Sequence, residues 1–79
     1  MWIEINSSNI QKIAYLNKTL FIFFVGDTIY QYDDFSEKQY LWLLKSESKG
    51  TYFRRVIRPN FTGVKIQKND LPECLASTL

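Results

Sequence analysis

Residues 19–33 read TLFIFFVGDTIYQYD and contain the strongest strand signal of the chain. Its first half is a run of β-branched and aromatic residues that is apolar on both faces, which is typical of a strand in the middle of a sheet. Gly26 and Asp27 are predicted to form a two-residue hairpin turn, with glycine at the first central position. The chain then returns as the partner strand, and strict alternation places Tyr30 and Tyr32 on one face.

The residues before this hairpin also favour strands. We predict a short opening strand at residues 2–5 and a second strand at residues 10–16, since both are rich in apolar β-formers. Asn17 and Lys18 separate the second strand from the third and are predicted to form a turn. The chain therefore begins with consecutive strands joined by short turns.

A first helix is predicted immediately after the hairpin. Ser36 is a good N-cap, and Gln39 three residues later completes a capping box. The helix is expected to end near Glu47, and Trp42 falls off its apolar stripe. The stripe predicted to face the core consists of Tyr40, Leu41, Leu43 and Leu44.

A second helix is predicted after Ser48, which can cap it. It should run from about Lys49 to Arg58, because Pro59 disfavours helical dihedrals in the residue before it. We expect an α+β fold in a single domain of residues 1–79, with a small antiparallel sheet of three to five strands followed by two helices packed on it. A short strand and helical turn are expected to form a C-terminal extension over residues 62–79.

The composition argues against an enzyme and against a metal site. The chain has one cysteine, Cys74, and no histidine, so it lacks a disulfide, a cysteine metal cluster and the side chain that most often titrates near neutrality. We therefore expect neither catalysis nor a metal or other cofactor. The longest apolar run, residues 20–25, is too short to span a bilayer, and a cytoplasmic location is expected.

Charge is distributed unevenly along the chain. Residues 45–68 contain seven basic residues and one acidic residue, Glu47, whereas the remainder contains three basic and seven acidic residues. This asymmetry suggests an anionic partner for one face. The alternative is a solvated surface on which the two charged regions attract each other.

Three short motifs occur in a recognisable order: Tyr30-Gln31-Tyr32 after the glycine-containing turn, SKGTYF at residues 48–53, and then Ile57-Arg58. With this order and spacing, residues 8–61 resemble the KTSC domain family. These are small domains that occur alone in bacteria and phages and at the C-terminus of some lysyl-tRNA synthetases. The resemblance implies RNA binding, and residues 62–79 lie outside the family pattern.

The basic residues of the second helix are the first candidates for a binding site. Arg54 and Arg58 are four residues apart and so are neighbours on one helix face, and Arg55 lies three residues before Arg58. Lys49 is expected near the free amides of the helix N-terminus, where phosphate binds readily. Lys45 lies near the end of the preceding helix. The alternatives are an acidic protein partner or a solvated face whose arginines pair with the chain's own carboxylates, at Asp33, Asp34, Glu37 or Glu47.

Aromatic residues are the second set of candidates. If Tyr30 and Tyr32 are exposed, they form a platform on which unpaired bases can stack, and Trp42 could add a further stacking surface. If a helix covers that face, both tyrosines belong to the core with their hydroxyls at its rim.

The preferred hypothesis is a non-catalytic module that binds RNA or another nucleic acid through a basic helix face. The alternative is a protein–protein interaction module, such as a phage or mobile-element protein that inhibits a host complex. No membrane association is expected, and the oligomeric state is left open.

Overall fold

The structure, a computed structural model, describes all of residues 1–79. One five-stranded antiparallel sheet contains every strand, and its strands lie side by side in chain order. The predicted α+β class, antiparallel sheet and packed helices are confirmed. The strands are β1 (Ile3–Glu4), β2 (Ile10–Leu16), β3 (Thr19–Phe24), β4 (Thr28–Tyr32) and β5 (Gly63–Ile66).

The two central turns differ in length. Asn17 and Lys18 alone separate β2 from β3, and both have positive φ, as a tight turn of the hairpin type requires. Between β3 and β4 the predicted two-residue turn is wrong, because Phe24 pairs with Thr28 and leaves a three-residue loop. With this longer loop, Ile22 of β3 lies directly opposite Tyr30 of β4, and both side chains point to the same face of the sheet.

The helix-covered face of the sheet holds the larger core. An irregularity between Ile10 and Lys12 inserts an extra residue into β2, so Ile10 and Ile13 face the same side despite their odd spacing. The two helices that begin at Glu37 and Lys49 both pack on this face. Its fully buried residues are Ile10, Ile13, Leu20, Ile22, Tyr32, Phe35, Leu43 and Ile57.

The opposite face is closed by the chain termini. The C-terminal extension contains a 3₁₀ turn (Lys68–Asp70) and the short helix α3 (Glu73–Ala76), which carry Leu71 and Leu75 into a second core. The indole Nε1 of Trp2 donates a hydrogen bond to the Leu75 carbonyl at 2.9 Å and ties the two ends together. The other buried members of this core are Ala14, Phe21, Phe23 and Ile29.

Helix α1 spans Glu37–Lys45 and starts with the predicted capping box, in which Ser36 and Gln39 exchange side-chain and backbone hydrogen bonds. It ends two residues before the predicted end at Glu47. Leu41 was predicted to face the core but is 48% exposed. Because α1 packs on one side only, residues spaced three and four apart (Tyr40, Leu43 and Leu44) fill its core face and leave Leu41 outside.

Helix α2 contains three consecutive segments: an α-helical start (Lys49–Tyr52), a π-helical middle (Phe53–Ile57) and a final α-helical turn (Arg58–Asn60). The helix was predicted to stop before Pro59, but it continues through the proline. In a regular α-helix the proline ring presses on the carbonyl four residues back. The wider turn, in which the Arg58 amide donates to the Phe53 carbonyl five residues back, accommodates the proline.

Candidate functional site

A basic pocket lies between α2 and the start of β2. It has a volume of about 420 Å³ and opens to solvent. Arg54 and Arg58, both exposed, project from α2 into its lining, and Ser8 and Asn9 line it from the loop before β2. Arg54 and Arg58 therefore lie on the same side of α2, as the sequence predicted. The remaining lining residues are Ile10, Phe24, Val25, Gly50 and Phe53.

An aromatic pocket of about 310 Å³ adjoins the basic one. The two pockets share three lining residues, Phe24, Phe53 and Arg58, so they lie side by side with a common wall. We refer to the two together as the basic–aromatic groove. The aromatic pocket is completed by Tyr30, Tyr32, Phe61 and Gly63.

The rings of the aromatic pocket hold one another in fixed orientations. The Phe24 ring meets Tyr30 edge to face at 5.7 Å between centroids and Phe53 at 5.2 Å. Tyr30 and Tyr32 stack at 6.4 Å. Aromatic pairs prefer edge-to-face and offset-stacked arrangements such as these, so the packing of the rings shapes the pocket wall.

Tyr30 and Tyr32 do not form an open stacking platform. They share a face as predicted, but α2 covers that face, and Tyr32 is only 4% exposed. Tyr30 is half-buried and keeps part of its surface in the aromatic pocket. Of the two possibilities left by the sequence, the structure shows the core arrangement for Tyr32 and a pocket wall for Tyr30.

The buried phenol of Tyr32 lies in an unusual electrostatic setting. Burial raises the pKa of Tyr32 to about 12; the neighbouring Tyr30 adds to the rise and the positive charge of Arg58 opposes it. Arg58 lines the aromatic pocket as well as the basic one.

Lys49 and Arg55 lie outside the groove. The Nζ of Lys49 donates a hydrogen bond to the Ser46 carbonyl at 2.9 Å. This ammonium group therefore bonds a carbonyl at the C-terminal end of α1 and is not directed toward the groove. Arg55 lines a separate pocket that also contains Glu47. The five basic residues predicted to act together are thus divided, because α2 presents its cations on more than one side.

The two remaining predicted site residues lie on α1. Lys45 is exposed in the last turn of the helix and lines neither pocket of the groove. Trp42 is 57% exposed, and the Nζ of Lys38 lies 5.7 Å from the centre of its ring. The structure therefore does not bring Trp42 together with Arg54 and Arg58.

The groove contains no acidic lining residue. Side-chain carboxylates accept hydrogen bonds elsewhere, at Asp33 from the Gln31 amide and at Asp70 from the Gln67 backbone. No group of three His, Cys, Asp or Glu side chains is placed to hold a metal ion. None of the helices has the length and apolar composition that crossing a membrane requires.

Sequence reasoning missed much of the groove. The sequence analysis did not single out Ser8 or Asn9, and it placed Phe24 only in a central strand. Nothing in the sequence indicates whether Phe53 and Phe61 lie in the core or line a pocket. Only the tertiary packing of α2 against the sheet brings these residues to the arginines.

The fold and the groove define a small α+β domain in which an antiparallel meander carries two helices on one face. The KTSC domain matches residues 6–61 of the sequence. The chain is also similar to a KTSC domain protein from Yersinia pestis with a known crystal structure, at 32% identity and a TM-score of 0.78, over 84% of this chain and 96% of that chain. This protein belongs to the KTSC domain family, as the sequence motifs indicated. No curated protein is similar enough in sequence to count as a relative.

Proposed function

We propose that this protein is a non-catalytic module that binds RNA or another nucleic acid through the basic–aromatic groove. The observation that carries the proposal is the convergence of Arg54 and Arg58 on a pocket without acidic lining, next to a wall of aromatic rings. Guanidinium groups match phosphate oxygens in a bidentate geometry and keep their charge at every physiological pH. Ser8 and Asn9 offer further hydrogen-bonding groups at the same pocket.

The lining of the groove supports a non-catalytic role. It holds no histidine, cysteine or carboxylate, the side chains that most often act as a general base or activate a nucleophile. Cys74 is an exposed free thiol outside the groove. A free exposed thiol suits a reducing compartment, which supports a cytoplasmic location for this role.

Fluorescence anisotropy with labelled single-stranded RNA tests the proposal. We expect binding at low salt that weakens steeply as salt rises, because each phosphate that is neutralised releases counterions. Single-stranded DNA and duplex RNA of the same charge are the comparison ligands. Absence of binding to all three ligands at low salt would overturn the proposal.

A second candidate function rests on the outer side of α1. Leu41 and Trp42 are both largely exposed there, and Lys38 lies over the Trp42 ring. Tryptophan is strongly enriched among residues that dominate binding between proteins. This surface would suit a protein partner, as in an inhibitor of a host complex carried by a phage or mobile element.

The two functions are separated by a pull-down with and without nuclease. Recovery of one partner protein that survives nuclease treatment and is lost in Trp42→Ala supports the second function. Recovery that disappears with nuclease supports nucleic-acid binding instead.

A further inference from the structure

The two halves of the basic–aromatic groove differ in chemistry but share a wall. Arg54, Ser8 and Asn9 line only the basic half, whereas Tyr30 and Phe61 line only the aromatic half. The shared wall consists of Phe24, Phe53 and Arg58. A ligand that fills the groove must therefore carry an anionic group directly beside a flat, apolar one.

Each half is large enough to hold one part of a nucleotide. Volumes of about 420 Å³ and 310 Å³ lie at the small end of the range of roughly 300–1,000 Å³ that is usual for ligand pockets. The groove is bounded by α2 on one side and by the sheet and its loops on the other. A base that is stacked in a duplex cannot enter such a pocket, but a base splayed out of a single strand can.

The aromatic half is rigid before a ligand arrives. Phe24 holds Tyr30 and Phe53 by edge-to-face contacts, and Tyr30 in turn stacks on the buried Tyr32. Gly63 lies so close to Tyr32 that an added Cβ would come within 2.6 Å of the Tyr32 ring. A pre-formed wall lowers the entropy lost when a ring is bound.

The basic half lies next to an irregular piece of backbone. The π-helical segment of α2, Phe53–Ile57, contains Arg54 and directly precedes Arg58. Single π-helical turns inside helices occur frequently at functional sites. The irregularity thus coincides with the residues that line both halves of the groove.

We propose that the groove binds one unpaired nucleotide of a single strand, with its base in the aromatic half and its phosphate in the basic half. Arg58 lies between the two and contacts both parts of the nucleotide. This inference rests on the proposed nucleic-acid binding and specifies its ligand.

Two strands with equal backbone charge test the inference. One is a fully abasic, fluorescein-labelled strand, and the other is the same strand with a single adenine in the middle. We expect the strand with adenine to bind about five- to 150-fold more tightly, which is the gain expected from one stacked base. Measurements use the full chain at low salt.

Variants of the pocket wall provide the matched protein-side test. Tyr30→Leu and Phe61→Leu keep apolar volume but remove a flat ring from the aromatic half. We expect each to reduce the advantage of the adenine strand over the abasic strand at least threefold. Leu41→Ala on the outer side of α1 is the control, and it should preserve the full advantage.

The outcomes distinguish this inference from the proposed function. Equal affinity for the two strands, together with binding of ordinary RNA, would overturn the nucleotide pocket and leave charge-based RNA binding standing. Failure to bind any strand, including ordinary RNA, would overturn both. The comparison of strands uses the unchanged protein, so it holds even if a variant does not fold.

Discussion

Arg54 and Arg55 are adjacent in sequence but line different pockets. Arg54 lies in the basic pocket with Ser8 and Asn9, whereas Arg55 lies in a pocket that contains Glu47. Successive residues of a helix point about 100° apart, so α2 directs these two cations to different sides. The pair therefore supplies a site residue and a matched control of identical chemistry.

The first prediction concerns the salt dependence of binding. Replacing both groove arginines, Arg54→Ala with Arg58→Ala, should weaken single-stranded RNA binding at least tenfold at low salt. It should also flatten the plot of log affinity against log salt by roughly 1.4, because each lost contact with a single-strand phosphate removes about 0.7 from the slope. Anisotropy titrations over a salt series measure both values.

The control for this prediction is Arg55→Ala, which removes one positive charge outside the groove and is matched in charge to Arg54→Ala alone. Its affinity and slope should stay close to those of the unchanged protein. An Arg55→Ala effect as large as that of the groove arginines would mean that binding is spread over the surface of α2.

The second prediction concerns the contact between Gly63 and Tyr32. Gly63→Ala should destabilise the fold by about 1–3 kcal/mol, although alanine normally improves on glycine inside a strand. The reason is that the new Cβ would lie 2.6 Å from Cε2 of Tyr32. Denaturant unfolding followed by circular dichroism gives the free energy.

Lys65→Ala, on the same strand, is the matched comparison for Gly63→Ala. Lys65 is exposed, so its substitution should change the free energy of unfolding by less than about 0.5 kcal/mol. A stabilised Gly63→Ala variant would show that β5 can move away from Tyr32 at little cost.

The third prediction concerns the C-terminal extension. Leu75 is completely buried in the second core, so Leu75→Ala should cost about 2–5 kcal/mol of unfolding free energy. Leu79→Ala, at an exposed position, should cost much less. If both substitutions are equally mild, the extension contributes little, and the sheet face beneath it is stable without cover.

The fourth prediction concerns alkaline pH. The pKa of Tyr32 is raised from 10.0 to about 12 in the folded protein. A raised pKa means that the folded state holds the proton more tightly than the unfolded chain, so its stabilising effect is complete below pH 10 and is lost between pH 10 and 12. Folding stability should therefore fall over this range.

Tyr32→Phe isolates this effect, because the other titrating groups are common to both proteins. The variant should lose less unfolding free energy than the unchanged protein between pH 10 and 12. Parallel losses in the two proteins would show that Tyr32 does not contribute to the pH dependence. Denaturant unfolding at a series of pH values provides the comparison.

Local patterns in the sequence predicted those features that depend on neighbouring residues alone. The helix caps and the turn at Asn17 and Lys18 follow from hydrogen bonds over a few residues, so Ser36 and Ser48 cap α1 and α2 as expected. The prediction was wrong at Pro59, because the π-helical turn that accommodates it depends on the packing of α2. It was wrong at Leu41 because a helix covered on one side can leave a leucine exposed.

Short-range periodicity and chemistry were enough to predict the antiparallel meander and the spacing that puts Arg54 and Arg58 on one side of a helix, and the order of three motifs indicated the family. The residue pattern could not predict that Tyr32 is buried, that Lys49 bonds the Ser46 carbonyl, or that the arginines adjoin an aromatic pocket. These facts depend on how α2 lies across the sheet, and that packing joins residues that are far apart along the chain.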